Sequence, residues 1–274
     1  MVNPDTFKKL HPQEFHRRFL GKGVRPDGRE GLMIDLLNLT LVTPNRIHRN
    51  CKRKCARSNG WNTVICGIKA EVAVPDTNHP TTGYLVPNVD FPPICGSQFK
   101  PTAPGEFTQS VSEMVYRVVK GNNILDLETL CIEGGKAVWV LYADIVFLNY
   151  EGNAVDAALL AFTAALKDTK LPVAVYSDVE GTVRADAADR SVSLDVKRVP
   201  FGATFGIFEQ DGGAKMAMAD PTDEEEAVLI SSVTVVVDGE SQELMGTFGA
   251  QVPIDLMDQC IGQAKKRATA IKKL

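Results

Sequence analysis

A chain of 274 residues that is 44% hydrophobic, 23% charged and 7% aromatic can bury a sizeable core and has an ordinary globular composition. Its formal net charge of −4 excludes a broadly polybasic surface, so any nucleic-acid contact has to come from a local basic patch. Six scattered cysteines fit reduced thiols of the cytosol or nucleus, the charged N-terminus lacks the apolar run of a secretory signal, and no stretch approaches the roughly 18 apolar residues of a membrane span.

In chain order, residues 5–20 predict an amphipathic helix split at Pro12, with Phe7, Leu10, Phe15, Phe19 and Leu20 on one face. Arg25 to Glu30 reads as a turn, because Pro26 fixes φ and Gly28 permits the reversal. Leu36 to Val42 is a candidate strand, and Asn62 to Val74 alternates with β-branched residues as a strand should. A polar loop leads to a strand over Tyr84 to Phe91. A Pro-containing loop follows from Pro92 to Gly105, then a helix over Glu106 to Lys120 and a short strand over Asp126 to Glu133.

The stretch from Gly134 to Leu171 is the organising one. Ala137 to Leu148 is nearly all apolar and β-prone, which suits a strand buried on both faces, and Asp144 within it reads as a packed carboxylate paired with a backbone N–H or a Lys. Glu151-Gly152-Asn153 makes a turn into an Ala/Leu helix over Ala154 to Lys167, apolar nearly all round and so central. Such a strand-to-helix junction is a place where unpaired amides and the helix dipole bind anions.

Beyond Pro172 the segments alternate, at Ala174–Tyr176, Ser191–Val196, Thr204–Phe208, Met216–Ala219 and Val228–Val237. Asp220 to Glu226 reads as a solvated acidic turn, with an orphaned metal site as the competing reading. A helix from Ile254 to Leu274 ends in Lys265, Lys266, Arg267, Lys272 and Lys273, cations that its own dipole stabilises. The pattern is α+β in two lobes.

Several words along the chain carry a resemblance. They are RPDGRE at 25–30, NTVICGIKAEVAVP at 62–75, GYLVPNVDFPPIC at 83–95, VWVLYADIVFLNYEGNAVDAALLAFTAALK at 138–167 and ADPTDEEE at 219–226. Together they resemble the RNase PH family, over about residues 5–30 and 62–265, and within it the ring subunits of the eukaryotic RNA exosome. The resemblance implies an N-terminal helical extension (1–24), an N-terminal lobe like ribosomal protein S5 domain 2 (25–170) and a smaller α+β C-terminal lobe with a closing helix (171–274). It also implies partners: other RNase PH-like ring subunits, OB-fold and KH-type cap subunits, RNA and associated hydrolytic nucleases, without a membrane and without a cofactor. The locations implied are nucleus, nucleolus and cytoplasm.

Active members of that family cut RNA with phosphate, and the resemblance implies two requirements. One is a Gly-Thr-Arg or Gly-Ser-Arg run at the strand-to-helix junction. Here it is Asn153-Ala154-Val155, where Ala and Val offer no side-chain donor and Asp156 adds a repelling charge. The other is an acidic pair followed six residues later by an Asp, where this chain has Ser231 and Ser232 beyond Glu225 and Glu226. The expectation is therefore a chain with no catalytic residues and no metal site, working as a structural subunit in 3′-to-5′ RNA processing. The alternative is an active phosphate-dependent exoribonuclease.

Residues 31–61 depart from the family. Pro44 to Trp61 lacks strand alternation and carries Arg46, Arg49, Lys52, Arg53, Lys54 and Arg57 with no acid among them. Three readings stand: a basic RNA-contacting loop, with Arg46, Arg49, Lys52 and Arg53 joined by Lys100; a zinc clip from His48, Cys51, Cys55 and Cys66; or out-of-frame or mis-spliced sequence replacing a strand pair. Cys66, Cys95, Cys131 and Cys260 each sit in apolar context as free core thiols. His11, His16 and His79 have no partner in the sequence that makes a nucleophile–base pair.

Overall fold

A computed structural model describes residues 7–8, 10–22, 24–26, 38–42, 51–56, 61–101, 103–186, 190–209 and 213–272; at 38–42, 51–56, 61, 271 and 272 it describes the backbone alone. The strands are β1 (Asn38–Val42), β2 (Cys51–Ala56), β3 (Trp61–Ala73), β4 (Tyr84–Asp90), β5 (Cys131–Glu133), β6 (Ala137–Asn149), β7 (Lys170–Leu171), β8 (Ala174–Ser177), β9 (Thr182–Ala185), β10 (Val192–Ser193), β11 (Pro200–Glu209), β12 (Lys215–Ala219), β13 (Ser231–Asp238) and β14 (Leu244–Gly249). The helices are α1 (Pro12–Leu20), α2 (Glu106–Gly121), α3 (Ala154–Asp168), α4 (Asp223–Glu226) and α5 (Ile254–Lys272).

Two sheets carry the fold. The first runs β1-β2-β3-β6-β4, with β5 beside β6; β4 is parallel to β6 and the other pairs are antiparallel. The second is an antiparallel sheet in the order β12-β11-β13-β14. Helix α3 packs on β3 from one side and on β11 from the other. That sandwiched position explains its apolar sequence: Ala157, Ala158, Leu159, Ala161, Phe162 and Leu166 are all buried, and only the last turn, at Lys167 and Asp168, is exposed. One core joins α2, α3 and the first sheet, and a second lies between the other sheet and α5. Two small hairpin-like pairs, β8-β9 and β7-β10, complete the chain.

Five expectations need correction. Cys51–Ala56 is strand β2, paired with β1 and β3, although its side chains do not alternate in polarity. Ladder hydrogen bonds from both neighbours define a strand without a side-chain pattern. Asp144 is exposed, because β6 is buried on both faces only over Ala137–Leu141 and alternates from Tyr142 to Phe147. Its contact is Asn88, whose Nδ2 donates to it at 3.5 Å. Leu10 and Phe19 are exposed on the N-terminal helix, whose buried residues are His16 and Leu20. Strand β5 begins only at Cys131, since the Asp126 side chain accepts from Glu128 N and turns Leu127–Leu130 into a 3-10 helix. Cys131 is only partly buried, whereas Cys66, Cys95 and Cys260 are buried.

Candidate functional site

The strand-to-helix junction is built by two asparagines and a glycine holding a tight turn. Asn62, buried on β3, accepts from Glu151 N at 2.8 Å and donates to Gly152 O at 2.6 Å. Gly152 has φ +92°, and a Cβ there would lie 2.6 Å from Asp223 N and Pro221 O, so only glycine lets the junction approach α4. Asn153 follows in the left-handed region, with φ 53°. Its Nδ2 donates to Asp156 at 2.8 Å and to Asp220 at 2.6 Å, which ties the start of α3 to the end of β12.

The acidic segment is not a solvated turn. Thr222 and Glu225 form a reciprocal capping box at the start of α4. Glu225 is then buried against Arg25, whose Nε and Nη2 reach its two oxygens at 3.0 and 2.6 Å. Arg25 also donates to Ala219 O at 2.7 Å and Asp220 O at 3.1 Å. Glu224 receives His16 Nε2 at 3.0 Å and Lys8 Nζ at 3.1 Å, fastening the N-terminal helix. Local charge counting missed the pairs with Arg25 and His16 because those partners lie some 200 positions away in sequence.

Glu226 faces the junction. Its Oε1 accepts the backbone N–H of Asn153 at 2.7 Å and its Oε2 accepts from the Tyr150 hydroxyl. A carboxylate of the chain itself therefore sits at the amide where an incoming anion would begin to bind. Asp156, expected to be the repelling charge, is instead matched: it is buried in an ion pair with Arg267 and accepts Thr204 N at 3.1 Å and Thr204 Oγ1 at 2.9 Å. Arg267 is structural through this pair rather than through the helix dipole, while Lys265 and Lys266 are exposed.

The two sequence features expected to line one site do meet. A cavity of about 380 Å³ is bounded by Asn153, Ala154 and Val155 on one side and by Ser231 and Ser232 on the other, with Glu226 between them. Among its described lining residues there is no Lys or Arg, and Glu226 is the sole carboxylate. Among the described residues no group of three or more His, Cys, Asp or Glu is placed to hold a metal.

The RNA-contact candidates are spread differently. Lys52 and Arg53 lie on β2, with Cα partners Val42 and Leu41 on β1, while Arg46 and Arg49 fall outside the described residues, as does His48 of the zinc reading. Cys51 is the Cα partner of Cys66. Lys100 lines a different cavity, beneath the loop from Pro92 to Gly105.

Residues 47–172 match the model of the 3′ exoribonuclease family, domain 1, and residues 198–267 match that of domain 2. The chain belongs to the 3′ exoribonuclease family, the RNase PH family. Within the family it is 35% identical to exosome complex component rrp43 of Schizosaccharomyces pombe, over 96% of this chain and 95% of that one. It is 29% identical to exosome complex component Rrp42 of Methanocella arvoryzae, over 92% and 90% of the two chains. The family fold is also met in a chain of the Archaeoglobus fulgidus exosome with RNA bound to the active site, at a TM-score of 0.76 and 23% identity over 95% of this chain and 96% of that one. A chain of an archaeal exosome core gives a TM-score of 0.72 at 22% identity, covering 99% and 98%.

Proposed function

We propose that this chain is a non-catalytic ring subunit of an RNA exosome, supporting 3′-to-5′ RNA processing and decay through assembly rather than cleavage. The observation that carries the non-catalytic reading is the cavity at the start of α3. Its phosphate run is Asn153-Ala154-Val155, its second-acid positions are Ser231 and Ser232, and Glu226 lies at the Asn153 amide. A phosphate dianion entering there meets a carboxylate and no cation among the described lining residues, so the transition state of phosphorolysis has no electrostatic support. The ring reading rests on the 35% identity to a named exosome component along nearly the full length of both chains.

In this reading the partners are other RNase PH-like ring subunits, cap subunits, RNA and the hydrolytic nucleases that cut it, in nucleus, nucleolus and cytoplasm. Arg46, Arg49, Lys52 and Arg53 supply RNA-path contacts through phosphate pairing. Lys100 stands apart from this set, in a cavity where Asp90, Glu106, Asp223 and Glu226 offset its charge.

The test is a phosphorolysis assay joined to co-expression. The purified chain is expected to release no nucleoside diphosphates from oligo(A) with phosphate, and to co-purify as a stable pair with one RNase PH-like neighbour. Diphosphate release that Glu226→Ala or Val155→Arg alters would establish the active enzyme instead. Failure to pair with any ring subunit would remove the assembly role.

A further inference from the structure

The cavity that holds Lys100 differs from the junction cavity in size and character. It encloses about 690 Å³, in the range of built ligand pockets. Its floor is aromatic. Phe99, Phe107 and Tyr150 lie with ring centroids 5.4–6.0 Å apart and mutually tilted, and Phe91 stacks on Phe99 at 5.0 Å. Phe107 is 41% exposed although it touches three other rings, so it keeps a face toward the opening. Pro92, Pro93, Pro101 and Pro104 stiffen the walls.

Its rim is acidic. Asp90, Glu106, Asp223 and Glu226 line it against the single ammonium of Lys100, among the described residues. Asp223 shows that this charge is imperfectly balanced. Half-burial pushes its carboxyl up and the Glu224 charge pushes it further, while a hydrogen bond from Gln98 only partly offsets the two. Asp90, Glu106 and Asp223 each gain from an incoming cation, whereas Glu226 is already engaged by Tyr150 and by Asn153 N.

We propose that this cavity is a docking site for an arginine-bearing segment of a partner protein. Arginine fits better than lysine: its planar guanidinium is weakly hydrated, stacks on aromatic faces and pairs with carboxylates in a fork. RNA fits poorly, because its phosphates would face four carboxylates. The inference stands apart from the ring reading, since it rests on the walls of this cavity alone.

The probe is a fluorescein-labelled hexapeptide, Ala-Arg-Pro-Leu-Arg-Ala, titrated with the full chain and followed by anisotropy. The control is the same peptide with citrulline for arginine, which keeps the shape and removes the charge. Saturable binding is expected, weakened about tenfold or more by citrulline and by Glu106→Gln with Asp223→Asn, as loss of charged hydrogen bonds implies. Phe107→Ala is expected to weaken it as well, and Lys100→Ala to leave it unchanged or tighten it. Circular dichroism and thermal melting confirm that each variant is folded. Absence of saturable binding, equal affinity for the citrulline peptide, or preferential binding of oligo(A) that Lys100→Ala abolishes would each overturn the proposal.

Discussion

Asp156 and Arg267 stand 111 positions apart and meet as a buried ion pair that fastens α3 to α5. The pair is asymmetric. Asp156 also accepts from Thr204 N, Thr204 Oγ1 and Asn153 Nδ2, whereas Arg267 Nε is buried without a partner. Gly202 adjoins them, and a Cβ on it would lie 2.8 Å from Asp156 Oδ1. Asp156→Ala strands a buried guanidinium together with the Thr204 amide and is expected to cost about 3–5 kcal/mol. Arg267→Met leaves the carboxylate with three donors and is expected to cost about 2 kcal/mol. Urea unfolding of both variants checks the order; equal losses would mean that the Thr204 and Asn153 bonds add nothing.

Phosphate affinity at the junction is predicted to depend on two positions together. Val155→Arg supplies the missing guanidinium, but the Glu226 carboxylate still faces the Asn153 amide. The single variant is therefore expected to show no more thermal stabilisation by phosphate than by chloride at equal ionic strength. Val155→Arg with Glu226→Gln is expected to gain a phosphate-specific rise in Tm, since the amide then meets no resident charge. Nucleoside diphosphate release is still expected to be absent, because Ser231 and Ser232 supply no acid. A phosphate-specific shift in the native chain would contradict this account of the junction.

The parts of the fold that were legible in the sequence were those whose cause is local. Strand β6 and helix α3 announce themselves through long apolar runs, because the first half of β6 and nearly all of α3 are covered on every side. The absence of a basic side chain at Asn153-Ala154-Val155 and of an acid at Ser231 and Ser232 was readable directly. That these residues line one cavity is a product of the tertiary fold, because Val155 and Ser231 lie far apart in sequence. Other features were hidden because their cause is distant. Strand β14 is an edge strand interrupted by Gly246 and ending at Gly249, so it lacks the signal of a central strand. The acids at 223–226 read as solvated because nothing nearby in sequence neutralises them, yet Arg25, His16 and the Asn153 amide do so in space.

Arg25 is predicted to be irreplaceable by lysine. Its guanidinium spans both oxygens of Glu225 and two backbone carbonyls, a fork that a single ammonium cannot reproduce. Arg25→Lys keeps the charge and is expected to cost about 2–3 kcal/mol through the acceptors left unmet. Chemical denaturation measures it. A loss below the error of that experiment would show that net charge alone, and not the fork, holds α4 in place.

Stability below neutral pH is predicted to fall through Asp238. Burial by itself would raise its carboxyl, but donors from Val199 N at 2.9 Å, the Ser241 hydroxyl at 2.7 Å, Ser241 N and Glu240 N outweigh it and hold the group below the usual carboxylate range. A carboxylate depressed in the folded state contributes stability that is fully present above its unfolded value of about 4 and is lost as pH falls through the folded value. Asp238→Asn removes the charge while keeping one acceptor, so the gap between native and variant is expected to be about 1–3 kcal/mol at neutral pH. The same gap should narrow as the pH drops below about 4. Urea unfolding of both proteins across that range measures it. A gap independent of pH would assign the Asp238 contribution to shape and hydrogen-bond count rather than to its charge.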